Sequence, residues 1–166
     1  MMTEDKFWEI IGQSQSSQVE SQAIQEAKLY EILSKLGVQD VVAFDKIFTQ
    51  LRFRAYSHDM WGAAYIINGG CSNDGFEYFR CALIAAGREK YERALLDPES
   101  LADWIEAETE FEALMYVPDK VYREQTGNGG NVAHPDLKYP ALSGNEWSDD
   151  SDLEKRFPKL CAKFGI

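Results

Sequence analysis

Between residues 68 and 80 the chain reads Asn-Gly-Gly-Cys-Ser-Asn-Asp-Gly-Phe-Glu-Tyr-Phe-Arg. Two adjacent glycines permit a tight backbone, and a helix starting just after them presents free N–H groups. Asn68, Asp74, Glu77 and Arg80 then bring polar chemistry beside an apolar body, as a small-molecule site requires. They form the candidate ligand-binding set. Two carboxylates near an arginine can move protons or hold a divalent ion, and Asp59 and His58 could join them. A structural reading stands beside this one. Asn68-Gly69 is also a helix stop, Asp74 and Glu77 also form the aspartate version of a capping box, and Glu77 can pair with Arg80 three residues on. Asp74 already answers the helix dipole, which disfavours an anion there. Cys71 before a helix start could ionise, but Asp74 opposes this, and a packed thiol is the default.

No catalytic set follows from motifs. H-E-x-x-H, G-x-S-x-G and a glycine-rich phosphate loop ending in Lys-Ser/Thr are all absent. The three cysteines, Cys71, Cys81 and Cys161, show no C-x-x-C spacing, and the two histidines are His58 and His134. Neither a disulfide framework nor a cysteine- or histidine-rich metal centre is expected, and no cofactor is implied. His134, in Ala-His-Pro, reads as a loop residue.

Charge is the second feature. Asp97, Glu99, Asp103, Glu106, Glu108, Glu110 and Glu112 fall in sixteen residues without one Lys or Arg. Acids at a helix start are favourable, which excuses those near Asp97 and Thr109. Glu106, Glu108 and Glu110 have no such excuse and are expected on the surface. They are the candidate partner-binding residues, either a solvated face or an acidic surface for a basic protein, as in nuclease inhibitors or DNA mimics. Trp104, Phe111 and Tyr116 can anchor such a partner or belong to the core. The net charge of −11 argues against direct nucleic-acid binding and against docking on anionic lipid.

The elements that position these residues are helical. Thr3 caps a helix carrying Phe7, Trp8, Ile10 and Ile11. Ser17 and Glu20 form a capping box before a stripe of Val19, Ala23, Ala27, Tyr30 and Leu33, which Gly37 should end. Asp40 opens a third helix with Val41, Phe44, Phe48, Leu51 and Ala55 on one face, and Asp45, Gln50 and Arg52 off it. Asp59 can cap Met60–Ile67, apolar on every side. That is a central buried helix, with a strand as the alternative for so short a run. Trp61, Ala64, Tyr65 and Phe79 are expected to be buried. The next helix begins near Gly75 and breaks at Gly87. Asp97-Pro98 starts another, Thr109 with Glu112 and Ser151 with Glu154 box two more, Pro118 restarts a helix, Gly127 stops one and Pro158 breaks the last. Residues 127–150 lack a helical period and read as a long surface loop, draped through Leu137, Tyr139, Leu142 and Trp147. The fold class is all-α: one domain over 1–166, a compact orthogonal bundle of about seven to nine helices.

Phe7-Trp8-Glu9-Ile10-Ile11, the run WGAAYIINGGCSNDGFEYFR, the run GREKYERALLDPESLAD, Tyr116 to Gly127 and a late Pro-Lys-Leu together resemble the bacterial domain-of-unknown-function family 4240. The resemblance covers Phe7 to about Leu160. It implies a small, mostly helical protein and transfers no catalytic residues. The family motif usually has an acid where Asn73 stands, so a site needing a carboxylate pair there is weakened.

No apolar run approaches the roughly 18–20 residues of a membrane span, and MMTEDKFWEIIG lacks a signal peptide's layout. A soluble cytosolic protein is expected. The leading expectation is a non-enzymatic helical module that binds a basic protein partner through its acidic surface, in a regulatory or neutralising role. The alternative is a small-ligand or metal-binding domain, or an enzyme of unassigned type, at Asn68–Arg80; a purely structural domain is the third. If Asp74, Glu77 and Arg80 open into a pocket beside Tyr65 or Tyr78, the second is favoured. If they close on backbone groups and on each other, the first or third is.

Overall fold

The computed structural model describes residues 1–15 and 21–166. Among them the chain forms ten α-helices and one 3-10 helix, with no strand. Helix α1 (Glu4–Ser14) begins where Thr3 Oγ1 accepts the Lys6 N–H, and Glu4 and Asp5 suit the positive end of the dipole. It buries Phe7, Trp8, Ile10 and Ile11. Helix α3 (Val38–Arg54) meets it with Val41, Phe44, Phe48 and Leu51, all fully buried, and the rings of Phe7 and Phe44 lie 4.5 Å apart. Each such side chain contributes about 1.5–3 kcal/mol by leaving water.

Helices α4 (His58–Asn68) and α5 (Asn73–Ala85) form the centre. The all-apolar run is helical: Met60, Ala63, Ala64, Ile66 and Ile67 are buried on α4, and Phe76, Phe79, Leu83 and Ile84 on α5. Trp61 and Tyr65 are only half-buried: the Tyr65 ring meets Trp147 of the 127–149 segment, and the Trp61 ring stacks on Phe76 of α5 at 4.8 Å. Helix α4 ends in a Schellman turn. Gly69 takes φ +65°, its N–H bonds Ile66 O, and the Gly70 N–H bonds Tyr65 O. Trp61 Nε1 donates to Cys71 O at 2.9 Å and pins the outgoing loop.

Around this centre stand α2 (Gln22–Ser34), α6 (Arg88–Leu96), the 3-10 helix Pro98–Asp103, α7 (Glu112–Met115) and α8 (Val117–Thr126). Pro118 separates α7 from α8, and Gly127 at φ +67° stops α8. The chain then runs as an irregular strap over α3 and α4. It touches Tyr56 and Ser57 through Ser143, and rests Leu142 and Trp147 on the core. Helices α9 (Asp150–Arg156) and α10 (Pro158–Phe164) close on α4 at Gly62, where an added Cβ would meet Leu153 at 3.0 Å and Phe157 at 3.2 Å. Prolines 118 and 158 cut longer helical runs into short ones, which raises the helix number to ten.

Several local expectations are corrected. Gly37 does not end α2, which stops at Ser34; at φ −70° it is the N-cap of α3. The inward face of α2 carries Leu29 and Leu33, while Ala23 and Ala27 are exposed, since leucine removes more apolar area from water than alanine. Ser57, not Asp59, caps α4. Ser72 accepts the Gly75 N–H and caps α5, so Asp74 and Glu77 form no box. Thr109 bonds Ala107 O, and α7 starts only at Glu112. Asp149, not Ser151, caps α9. Asp45 is not off the buried face of α3 but is itself buried. Ser17, Val19 and Glu20 lie outside the described residues.

Candidate functional site

The four residues of the 68–80 segment are held apart. Asn68 ends α4 and grips the backbone of Thr109 in both directions, Nδ2 donating to its O at 3.1 Å and Oδ1 accepting its N–H at 2.8 Å. Asp74 points to solvent in the first turn of α5, with no hydrogen bond among the described residues. Glu77 accepts from Arg52 Nη1 at 2.8 Å. It does not pair with Arg80, which turns the other way.

Arg80 is 1% exposed. Its Nε donates to Phe76 O, Nη1 to Arg52 O at 2.8 Å and Nη2 to the Tyr139 hydroxyl at 3.0 Å. The guanidinium lies between the rings of Phe76 (4.5 Å) and Tyr56 (4.9 Å). No carboxylate reaches it among the described residues; carbonyl oxygens and π-faces replace the lost water. The segment therefore closes on backbone and aromatic groups instead of opening into a pocket. Burial, with help from the charge of Glu110, pushes the Cys71 thiol up to about 11, so it stays protonated near neutral pH. Cys81, buried in the core, is pushed up to about 12. His58 opens α4 with its backbone N–H on Ser143 O, and Asp59 accepts from Arg156.

Most of the seven acids from Asp97 to Glu112 have structural partners, several far along the chain. Asp97 caps the 3-10 helix. Glu99 caps α10, accepting the N–H groups of Lys159 at 2.8 Å and Leu160 at 3.1 Å. Asp103 pairs with Arg93, Glu106 with Lys163 at 3.0 Å, and Glu112 accepts from Tyr116. Glu108 and Glu110 are exposed and make no ion pair among the described residues. Partial burial first, then the charges of Glu108 and Glu112, raise the Glu110 carboxyl above its ordinary range.

Glu106 and Glu108 border a cleft of about 450 Å3. Ala82, Ala85, Ile105 and Phe111 give it an apolar floor, and Gln15 and Gln25 both donate to Ala85 O at 2.9 Å. Lys90 at its side lies over the Trp104 ring at 4.7 Å. A groove of similar size between α2 and α7–α8 is lined by Ala23, Ala27, Ala113 and Val117 with Tyr30 and Tyr116.

The sequence reading missed one site altogether. His134 Nε2 lies 2.7 Å from Asp45 Oδ2, both side chains nearly enclosed, in a recess of about 320 Å3 between α3, α8 and the strap. Asp45 was expected off the buried face and His134 as a bare loop residue. A carboxylate inside an amphipathic helix was the only signal, and its partner is 89 residues away.

This is an all-α domain that encloses an arginine between α3, α5 and the strap, and whose surface carries an acid without an ion pair, Glu108, beside an apolar cleft. The chain belongs to the family described as Protein of unknown function (DUF4240), whose model matches residues 2–124. No curated protein and no solved structure matches it. The strap and helices α9 and α10 lie beyond the matched residues, yet reach Gly62, Tyr65 and Arg80 within them. No helix among the described residues is long and apolar enough to cross a membrane.

Proposed function

We propose that this protein is a cytoplasmic binding module that takes a lysine- or arginine-rich segment of a protein partner at the cleft bordered by Glu106 and Glu108, in a regulatory or neutralising role. The observation that carries this reading is that Glu108, on the border of the apolar-floored cleft, and Glu110, two residues on and outside its lining, make no ion pair among the described residues, although the neighbouring acids have partners. Partial burial first, and then the charges of Glu108 and Glu112, raise the Glu110 carboxyl, and a basic side chain would relieve the charge repulsion. Ala82, Ala85, Ile105 and Phe111 supply the apolar part of a contact that charge alone would leave weak. The same negative surface repels nucleic-acid backbone and anionic lipid. Three free cysteines suit a reducing compartment.

The test is the affinity of a fluorescent lysine–leucine peptide for the wild type and for the Glu108→Gln/Glu110→Gln variant. Neutralising two repelling acids should leave folding intact, so loss of binding would not reflect unfolding. The expected result is roughly tenfold weaker binding. Equal affinity, or equal binding of a glutamate–leucine peptide to the wild type, would remove the reading.

A further inference from the structure

The groove between α2 and α7–α8, about 460 Å3, shares no lining residue with the acidic cleft. Contacts between these elements fix both of its ends. Gln22 Nε2 donates to Glu110 O at 2.6 Å at one end. At the other, Gln125 Nε2 donates to Leu36 O at 2.8 Å and the Tyr30 hydroxyl donates to Glu124. Helix α2 turns Leu29 and Leu33 into the core, which leaves Ala23 and Ala27 lining the groove. Ala113 and the buried Val117 complete the floor from the other side. Larger side chains at the three alanines would fill this space, and alanine leaves it open. Tyr30 and Tyr116 flank the floor, their hydroxyls tied to Glu124 and Glu112, so the rings remain for apolar contact.

Three charged side chains line the groove: Glu26 on α2, and Lys120 and Arg123 on α8. A spacing of three on a helix makes the two cations neighbours. Neither they nor Glu26 make an ion pair among the described residues. The Lys120 ammonium lies over the Tyr30 ring at 4.6 Å, and Arg123 donates through Nη1 to Asn131 Oδ1 at 2.6 Å. Two cations against one acid leave the lining with a positive excess beside an apolar floor. The net charge of −11 opposes an anion at long range, so the floor must supply part of the attraction.

We propose that this groove binds a small apolar carboxylate, its charged head at Lys120 and Arg123 and its hydrocarbon body on the alanine and valine floor between Tyr30 and Tyr116. A guanidinium matches the two oxygens of a carboxylate, and an ammonium adds a second, compact charge. An amine would meet two cations with only Glu26 in its favour, and inorganic phosphate would leave the floor in water. A volume of about 460 Å3 falls within the range of small-molecule sites. The site does not depend on the basic-partner reading, and either can fail alone.

The experiment titrates the full chain separately with octanoate, octanol and octylamine, following the methyl signals of its alanines and valines by NMR. Octanoate should shift Ala23, Ala27, Ala113 and Val117 saturably and leave Ala82 and Ala85, in the acidic cleft, unmoved. Octanol and octylamine should bind the groove at least about tenfold more weakly. Lys120→Gln/Arg123→Gln changes two side chains outside the core, so folding should be intact. It should weaken octanoate about tenfold and leave octanol unchanged. Groove methyls that ignore octanoate, that respond to octanol or octylamine with equal affinity, or that bind octanoate unchanged in the double variant would overturn the proposal.

Discussion

Tyr139, on the strap, places its hydroxyl 3.0 Å from Nη2 of Arg80, a side chain that is almost wholly enclosed. A residue beyond the family-matched region thus completes the hydrogen bonding of a charge inside it. The Tyr139 ring also lies 5.0 Å from Tyr56 and 4.8 Å from Phe53. Tyr139→Phe keeps these ring contacts and removes only the hydroxyl. It should cost about 1.5–3 kcal/mol, the range for a hydrogen bond to a charged group. Urea unfolding checks this, and the midpoint should fall at constant m-value.

At the start of α5, Ser72 holds the Gly75 N–H at 3.1 Å while Asp74 lies free in solvent. Ser72→Ala should lose about 1 kcal/mol, the usual cost of an N-cap. Asp74→Ala should stay within about 0.5 kcal/mol of wild type. Thermal unfolding of the two variants side by side separates the capping residues.

Gly62 lets α9 and α10 approach α4 closely. Gly62→Ala places a methyl group against Leu153 and Phe157 and should cost about 1–3 kcal/mol through overpacking, partly offset by alanine's better helix propensity. Hydrogen exchange should show the loss concentrated in α9 and α10.

Asp45 gives a pH dependence whose sign is opposite to that of a salt-bridged carboxylate. Its folded-state carboxyl sits above the ordinary value, burial being the main cause. The folded state then binds more protons than the unfolded state between the two values, so this group costs stability as pH rises through that window. Asp45→Asn removes the titration. The stability of wild type relative to Asp45→Asn should therefore rise as pH falls from 7 toward about 4. Denaturant unfolding at stepped pH measures the difference.

Much of the frame was legible because its signals are local. The three-and-four spacing of Val41, Phe44, Phe48 and Leu51 put one face of α3 in the core, and Thr3, Asp97, Pro118 and Gly127 mark element ends where the structure has them. The choice between Ser72 and Asp74 as a cap was not legible. Both can accept a backbone N–H, and the loop held by Trp61 on Cys71 O decides where the helix starts. The inward face of α2 was misread because alanines keep a helical period without the bulk that fixes a buried face.

The site followed the same division. The unpaired state of Glu108 agrees with the absence of nearby cations in sequence, but Glu106 and Glu99 found partners some sixty residues away. The Asp45–His134 pair depends on the strap folding back onto α3, which no local pattern encodes.

The basic-partner account is tested most directly by the association rate of the lysine–leucine peptide, measured by stopped flow across a range of ionic strength. The variants are Glu108→Lys/Glu110→Lys and, as a control, Glu146→Lys, an exposed acid on the strap. The account predicts a wild-type rate that falls with added salt, as charges become screened beyond a Debye length of about 8–10 Å. The double reversal should lower the low-salt rate about tenfold or more and flatten the slope, while Glu146→Lys changes both only slightly. A double reversal that leaves rate and slope unchanged would contradict the account and reduce Glu108 and Glu110 to a solvated face.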